Sequence, residues 1–77
     1  MHPSPTYPHE ARRRRWFGTG LFVMRFRPDG SVENVVALKS TDHAVLDEEV
    51  VRTLRRWRCL PGVYVSAYIP VTFSMAR

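Results

Sequence analysis

The chain has 77 residues, with 12 basic and 7 acidic side chains giving a formal charge of +5. At this length it is one domain, burying about 60% of the surface its unfolded chain exposes, so one helical layer and a few strands exhaust it. A single cysteine excludes an internal disulfide, no run of about 18 apolar residues spans a membrane, and the basic balance suits an acidic partner without choosing its kind.

Residues 1–6 hold Pro3 and Pro5 among small polar residues without apolar periodicity, and read as a flexible proline-containing tail or linker remnant; residues 7–77 form the domain. Pro8 suits the first position of a short helix, Glu10 its first turn and Arg12 to Arg15 its last, each charge opposing the helix dipole. Gly18 and Gly20 end that segment.

From Gly20 to Arg27 the chain alternates, with Phe22, Met24 and Phe26 on the core face and Leu21, Val23, Arg25 and Arg27 on the other. Pro28, Asp29, Gly30 and Ser31 supply turn chemistry for a hairpin. The return strand runs from Val32 to about Ser40, and Val32, Val35 and Ala37 share the core face only if one residue is inserted near Asn34, which predicts a bulge there.

The next helix organises the fold. Leu46, Val50, Leu54 and Trp57 fall on one stripe, while Glu48, Glu49, Arg52, Arg55 and Arg56 are expected to face water. Thr41 and Asp42 offer capping oxygens, and Glu48 with Arg52 an i,i+4 pair. Pro61 and Gly62 place the helix end near Trp57 or Arg58. In the closing stretch, Val63 to Met75, Ile69, Val71 and Phe73 alternate with Pro70, Thr72 and Ser74; Pro70 cannot donate to a ladder, so its side faces an edge or solvent.

The predicted fold is a two-layer α+β domain in the order α-β-β-α-β, a three-stranded antiparallel sheet with helices on one face. The other face carries Leu21, Val23, Val36 and Leu38, apolar enough to suggest a partner or a dimer.

Catalytic chemistry finds little support. Ser40, Asp42 and His43 assemble a triad only on paper, and loop residues capping a helix explain them better. His2, His9, His43 and Cys59 lack zinc spacing, and no phosphate loop or dinucleotide fingerprint occurs, so neither metal nor cofactor is expected. Arg12 to Arg15 with Trp16 and Phe17 could grip phosphates and stack bases, or rest on an anionic membrane; the plainer reading is a solvated helix end whose aromatics pack on the sheet.

The ordered set Tyr7 Pro8 with Ala11, Gly18 and Gly20, Asp29 Gly30 with Val32 and Val35, Ser40, Leu46 Asp47, Trp57 Arg58 with Pro61 Gly62, and Pro70 Val71 with Phe73 resembles the C-terminal domain of the TonB energy transducers. The resemblance covers nearly the whole chain. It implies a non-enzymatic periplasmic module on a chain anchored in the inner membrane, working with ExbB and ExbD and binding the TonB box peptide of outer-membrane transporters. Anchor and full spacer are expected outside these residues.

The implied mode is strand addition to the last strand, with Val65, Ser66, Ala67, Tyr68, Ile69, Pro70 and Val71 as contact residues. A proline at Ala67 is expected to weaken peptide binding and spare the fold. Ser4 matches about the position of a partner-contacting glutamine in the family, which adds Ser4, Pro5 and Thr6 to the contact set. An exposed last edge also invites a homodimer. The alternatives are a TonB-like domain serving homotypic assembly or a regulatory periplasmic contact, and a basic nucleic-acid-binding domain.

Overall fold

β1 (Gly18–Phe26) is the central strand of the sheet, apolar on both faces from Leu21 to Met24, with its inward side chains Phe22 and Met24 fully buried. In a computed structural model of the chain, which describes residues 4–74, β1 pairs antiparallel with β2 (Val32–Lys39) on one side and with β3 (Ser66–Phe73) on the other. A short helix, α1 (His9–Arg13), precedes the sheet, and α2 (Ala44–Leu54) connects β2 to β3. This is the expected α-β-β-α-β order. Met1, Pro3 and His2 of the expected tail, and Met75 at the end of the last stretch, lie outside the described residues.

The core joins Phe22, Met24 and Phe26 of β1, Val35 of β2 and Phe73 of β3 to Leu46, Val50 and Leu54 of α2 and Ala11 of α1. Full burial of each of the three α2 side chains stabilises by roughly 2 kcal/mol. Ala11 is fully buried, and its small side chain lets α1 sit close.

The hairpin carries the predicted bulge. Phe26 pairs with Val32 but Arg25 with Asn34, so Glu33 is the inserted residue and Val32 and Val35 both turn inward. A second register shift, between Leu21 and Phe22, places Leu38 as another extra residue. Ala37 stands opposite buried Phe22, on the core face as expected, but this outer strand leaves it exposed. The turn closes with Gly30 N–H donating to Arg27 O at 2.9 Å, and Gly30 takes φ +90°.

Several details of the helices differ from expectation. Pro8 is the N-cap of α1 rather than its first residue, with ψ 145°. The body of α2 stops at Leu54, where Arg56 N–H turns to Thr53 O and Trp57 N–H to Leu54 O, tightening the last turn. Trp57 is thus half-buried beyond the helix instead of closing its seam. The chain turns early because residues after it are claimed by the hairpin: Cys59 N–H donates to Gly30 O and Gly62 N–H to Pro28 O, both at 3.0 Å.

Glu49, expected in water, is buried, and its carboxylate accepts from the Thr6 amide at 2.8 Å, from Thr53 Oγ1 at 3.1 Å and from Arg52. Arg52 therefore pairs with Glu49 rather than with Glu48. The N-terminus of α2 is also stapled in reverse. His43 is the N-cap and offers no side-chain cap; instead Asp47 in the first turn reaches back to accept from the Thr41 amide, the Thr41 hydroxyl and the Ser40 hydroxyl.

Candidate partner-binding edge

β3 is an outer strand, and which of its backbone groups are free follows from one bond. Phe26 N–H donates to Val65 O at 2.8 Å. In an antiparallel ladder, facing residues alternate between pairs that exchange both backbone bonds and pairs that exchange none. Counted from Phe26 and Val65 along the observed register, Met24 with Ala67, Phe22 with Ile69 and Gly20 with Val71 are bonded pairs. Ser66, Tyr68, Pro70 and Thr72 consequently turn their backbone groups to the open edge.

Pro70, having no N–H, stands opposite Leu21 in a pair that requires none. The sequence reading of Pro70 as facing an edge is what this register places there. The expectation for Ala67 is corrected by the same register, since its N–H points to β1 and a proline there would break the ladder that builds the sheet. Positions whose N–H can be removed without touching the sheet are Ser66, Tyr68 and Thr72.

Side chains at these edge positions stand on the face away from the helices. Tyr68 is 65% exposed, and Thr19 Oγ1 and Thr72 Oγ1 lie 2.9 Å apart as a cross-strand pair. Leu21 and Val23 are half-buried on this face, with Val36 and Leu38 exposed on β2. On the opposite face Ala67, Ile69 and Val71 are half-buried against the core. Beside the start of β3 an open cleft of about 300 Å³ is lined by Phe26, Trp57, Cys59, Tyr64 and Ala67. Sequence reasoning did not find this cleft, because its walls come from three separate segments.

The other expected contact residues sit elsewhere in the bonding scheme. Thr6 is tied to α2 through Glu49, and Ser4 and Pro5 lead into it. The link to β3 runs through the next residue: the Tyr7 ring meets the Phe73 ring edge-on at 5.3 Å, and its hydroxyl donates to Trp16 O. Val65 precedes β3 and is 71% exposed, but its carbonyl is taken by Phe26. The structure thus gathers Ser66, Tyr68 and Pro70 on one edge and ties Thr6, which follows Ser4 and Pro5, to α2.

Ser40, Asp42 and His43 form no catalytic relay. Ser40 donates to Asp47 and accepts from the Asp42 amide at 2.9 Å, while the His43 ring stacks on Trp16 at 4.9 Å. Burial pushes the Asp47 carboxyl up, but the bonds from Ser40 and Thr41 outweigh it and hold it below the usual aspartate range. For Glu49 burial likewise pushes up and is outweighed by bonds from Thr6, Arg52 and Thr53. Both carboxylates are structural acceptors.

A small α+β module ending in an open, uncharged strand edge is the class that fold and edge define. Residues 3–75 match the family described as Gram-negative bacterial TonB protein C-terminal, and the chain belongs to that family, whose members are not enzymes. It is 35% identical over 61 residues to Protein tonB2 of Pseudomonas aeruginosa, covering 79% of this chain and 23% of that protein. To Protein TonB of Escherichia coli K12 it is 36% identical over 58 residues, covering 75% of this chain and 24% of the relative. The chain thus spans about a quarter of the length of these relatives. The solution NMR structure of the Pseudomonas aeruginosa TonB CTD shares the fold, with a TM-score of 0.85 at 24% identity over 100% of this chain and 84% of the other. Among the described residues no helix is long and apolar enough to cross a membrane.

Proposed function

We propose that this chain is the partner-binding end of a TonB-type energy transducer, taking an extended peptide of an outer-membrane transporter as a fourth strand on β3. In this reading the domain lies in the periplasm, on a longer chain anchored in the inner membrane and driven there by ExbB and ExbD. The observation that carries the proposal is the open edge, where Ser66, Tyr68, Pro70 and Thr72 direct backbone groups away from β1. Backbone pairing tolerates many side chains and spreads an axial pull over several bonds, so it suits a transducer serving more than one transporter.

The cleft beside Ala67 gives the added strand a place for an apolar side chain, since a strand laid about 4.8 Å outside β3 puts alternate side chains on the helix side. Self-pairing through the same edge is the competing use. Isothermal titration with transporter-derived peptides tests the proposal: Tyr68→Pro, which removes an outward N–H, is expected to weaken binding about 10-fold, or about 1.4 kcal/mol. A folded Tyr68→Pro variant that binds as the parent does contradicts strand addition.

A further inference from the structure

Arg12, Arg13, Arg14 and Arg15 are all exposed at the end of α1, and only Arg14 has an acidic partner among the described residues, Glu10 at 3.2 Å. Around them the backbone is held firmly. Trp16 N–H returns to Ala11 O at 2.9 Å and Arg15 N–H to Arg12 O at 3.2 Å, closing the helix in the manner that normally employs glycine at the left-handed position. Here Arg15 occupies it, at φ 59°. A non-glycine residue there is disfavoured, so the turn tip carries a cation despite a backbone cost.

Trp16 clamps the turn from below. Its ring stacks on His43, lies 5.4 Å from the Arg14 guanidinium, and its carbonyl accepts from Tyr7. That ring is already engaged and does not offer a platform for a nucleic-acid base. The next residue is the reverse case: Phe17 is 69% exposed, immediately before β1. The loop thus carries three exposed guanidinium groups with no ion pair among the described residues and, two positions after the last of them, an exposed aromatic ring.

We propose that this loop is a docking surface for an anionic phospholipid membrane, with Arg12, Arg13 and Arg15 on lipid phosphates and Phe17 in the interfacial layer. Guanidinium forks match phosphate oxygens, and an aromatic ring beside them lowers its exposure at the headgroup boundary. An acidic protein would satisfy the arginines but gives no reason for Phe17 to stand bare. Acidic groups near the loop are few: Glu10 is taken by Arg14, and Asp42 follows Thr41, whose carbonyl lies against Gly18. Since Gly18 pairs with Phe73, the loop sits at the end of the sheet where β3 finishes, and contact there leaves the open edge of β3 uncovered along its length.

Co-sedimentation of the 77-residue chain with vesicles of phosphatidylglycerol mixed into phosphatidylcholine, against pure phosphatidylcholine, tests this. Binding is expected only to the anionic vesicles and to fall with added salt. The triple variant Arg12→Gln, Arg13→Gln, Arg15→Gln is expected to lower partitioning about 10-fold or more, and Phe17→Ser to lower it with all charges kept. Thermal melts of both variants matching the parent attribute the loss to the surface. Equal binding to neutral vesicles, unchanged partitioning of the triple variant, or binding to polyglutamate but not to vesicles would overturn the proposal. None of these outcomes bears on peptide addition to β3.

Discussion

Gly30 and Cys59 are locked together across two loops: Cys59 N–H donates to Gly30 O at 3.0 Å, and a Cβ built on Gly30 would lie 2.0 Å from the Cys59 carbonyl oxygen. The hairpin turn and the segment after α2 are therefore one unit, reinforced by the bridge between Ser31 and Arg58. This contact brings the chain back from α2 to start β3.

Two glycine substitutions separate this contact from backbone preference alone. Gly30→Ala meets backbone atoms as well as an unfavourable φ and is expected to destabilise by about 3 kcal/mol, enough to threaten a domain of this size. Gly62 also has positive φ, 76°, but nothing lies within 4 Å of its added Cβ. Gly62→Ala is expected to cost only about 1 kcal/mol. Urea unfolding of both variants checks the difference, and equal losses would contradict the contact.

Acid should loosen the fold through Asp47 and Glu49. Both are held below the ordinary carboxylate range in the folded chain, burial notwithstanding. Their contribution is therefore fully present above the unfolded values, about pH 4, and is lost as pH falls through the lower folded ones. Asp47→Asn is expected to cost about 1 to 2 kcal/mol at neutral pH and to flatten part of the acid-induced loss. Unfolding curves of parent and variant at pH 7 and pH 3 measure both effects, and identical pH dependence would refute the assignment.

Proline scanning of β3 tests the register itself. Ala67→Pro removes an N–H directed at Met24 and is expected to destabilise the sheet by about 3 kcal/mol, whereas Tyr68→Pro removes one directed outward and should cost about 1 kcal/mol or less. Circular-dichroism melts distinguish them. The reverse order would show that the free side of β3 is the other set of residues.

How much of this was legible in the sequence depends on the range of the interaction. Phe22, Met24 and Phe26 announce their strand by alternation, Asp29 and Gly30 their turn, and the mismatch of Val32 with Val35 its bulge, because each signal lies within a few residues. Glu49 could not be read, since its burial depends on Thr6, 43 positions away. Trp57 fitted the helical stripe, but the helix yields to bonds from Cys59 and Gly62 that only the folded hairpin supplies. The edge was foreseen from Pro70 and from the strand addition that the family resemblance implies. Which amides face outward was not, because parity is set by the pairing of Phe26 with Val65 and not by any property of Ala67.

Heteronuclear NMR titration of the labelled chain with extended peptides from the N-terminal plug segments of outer-membrane transporters tests strand addition most directly. The amides of Ser66, Tyr68 and Thr72 are expected to shift most and to gain protection from exchange, while those of Ala67, Ile69 and Val71, already bonded to β1, change little. Shifts confined to α2 or to the arginine loop, with the β3 amides unmoved by any peptide, would contradict strand addition.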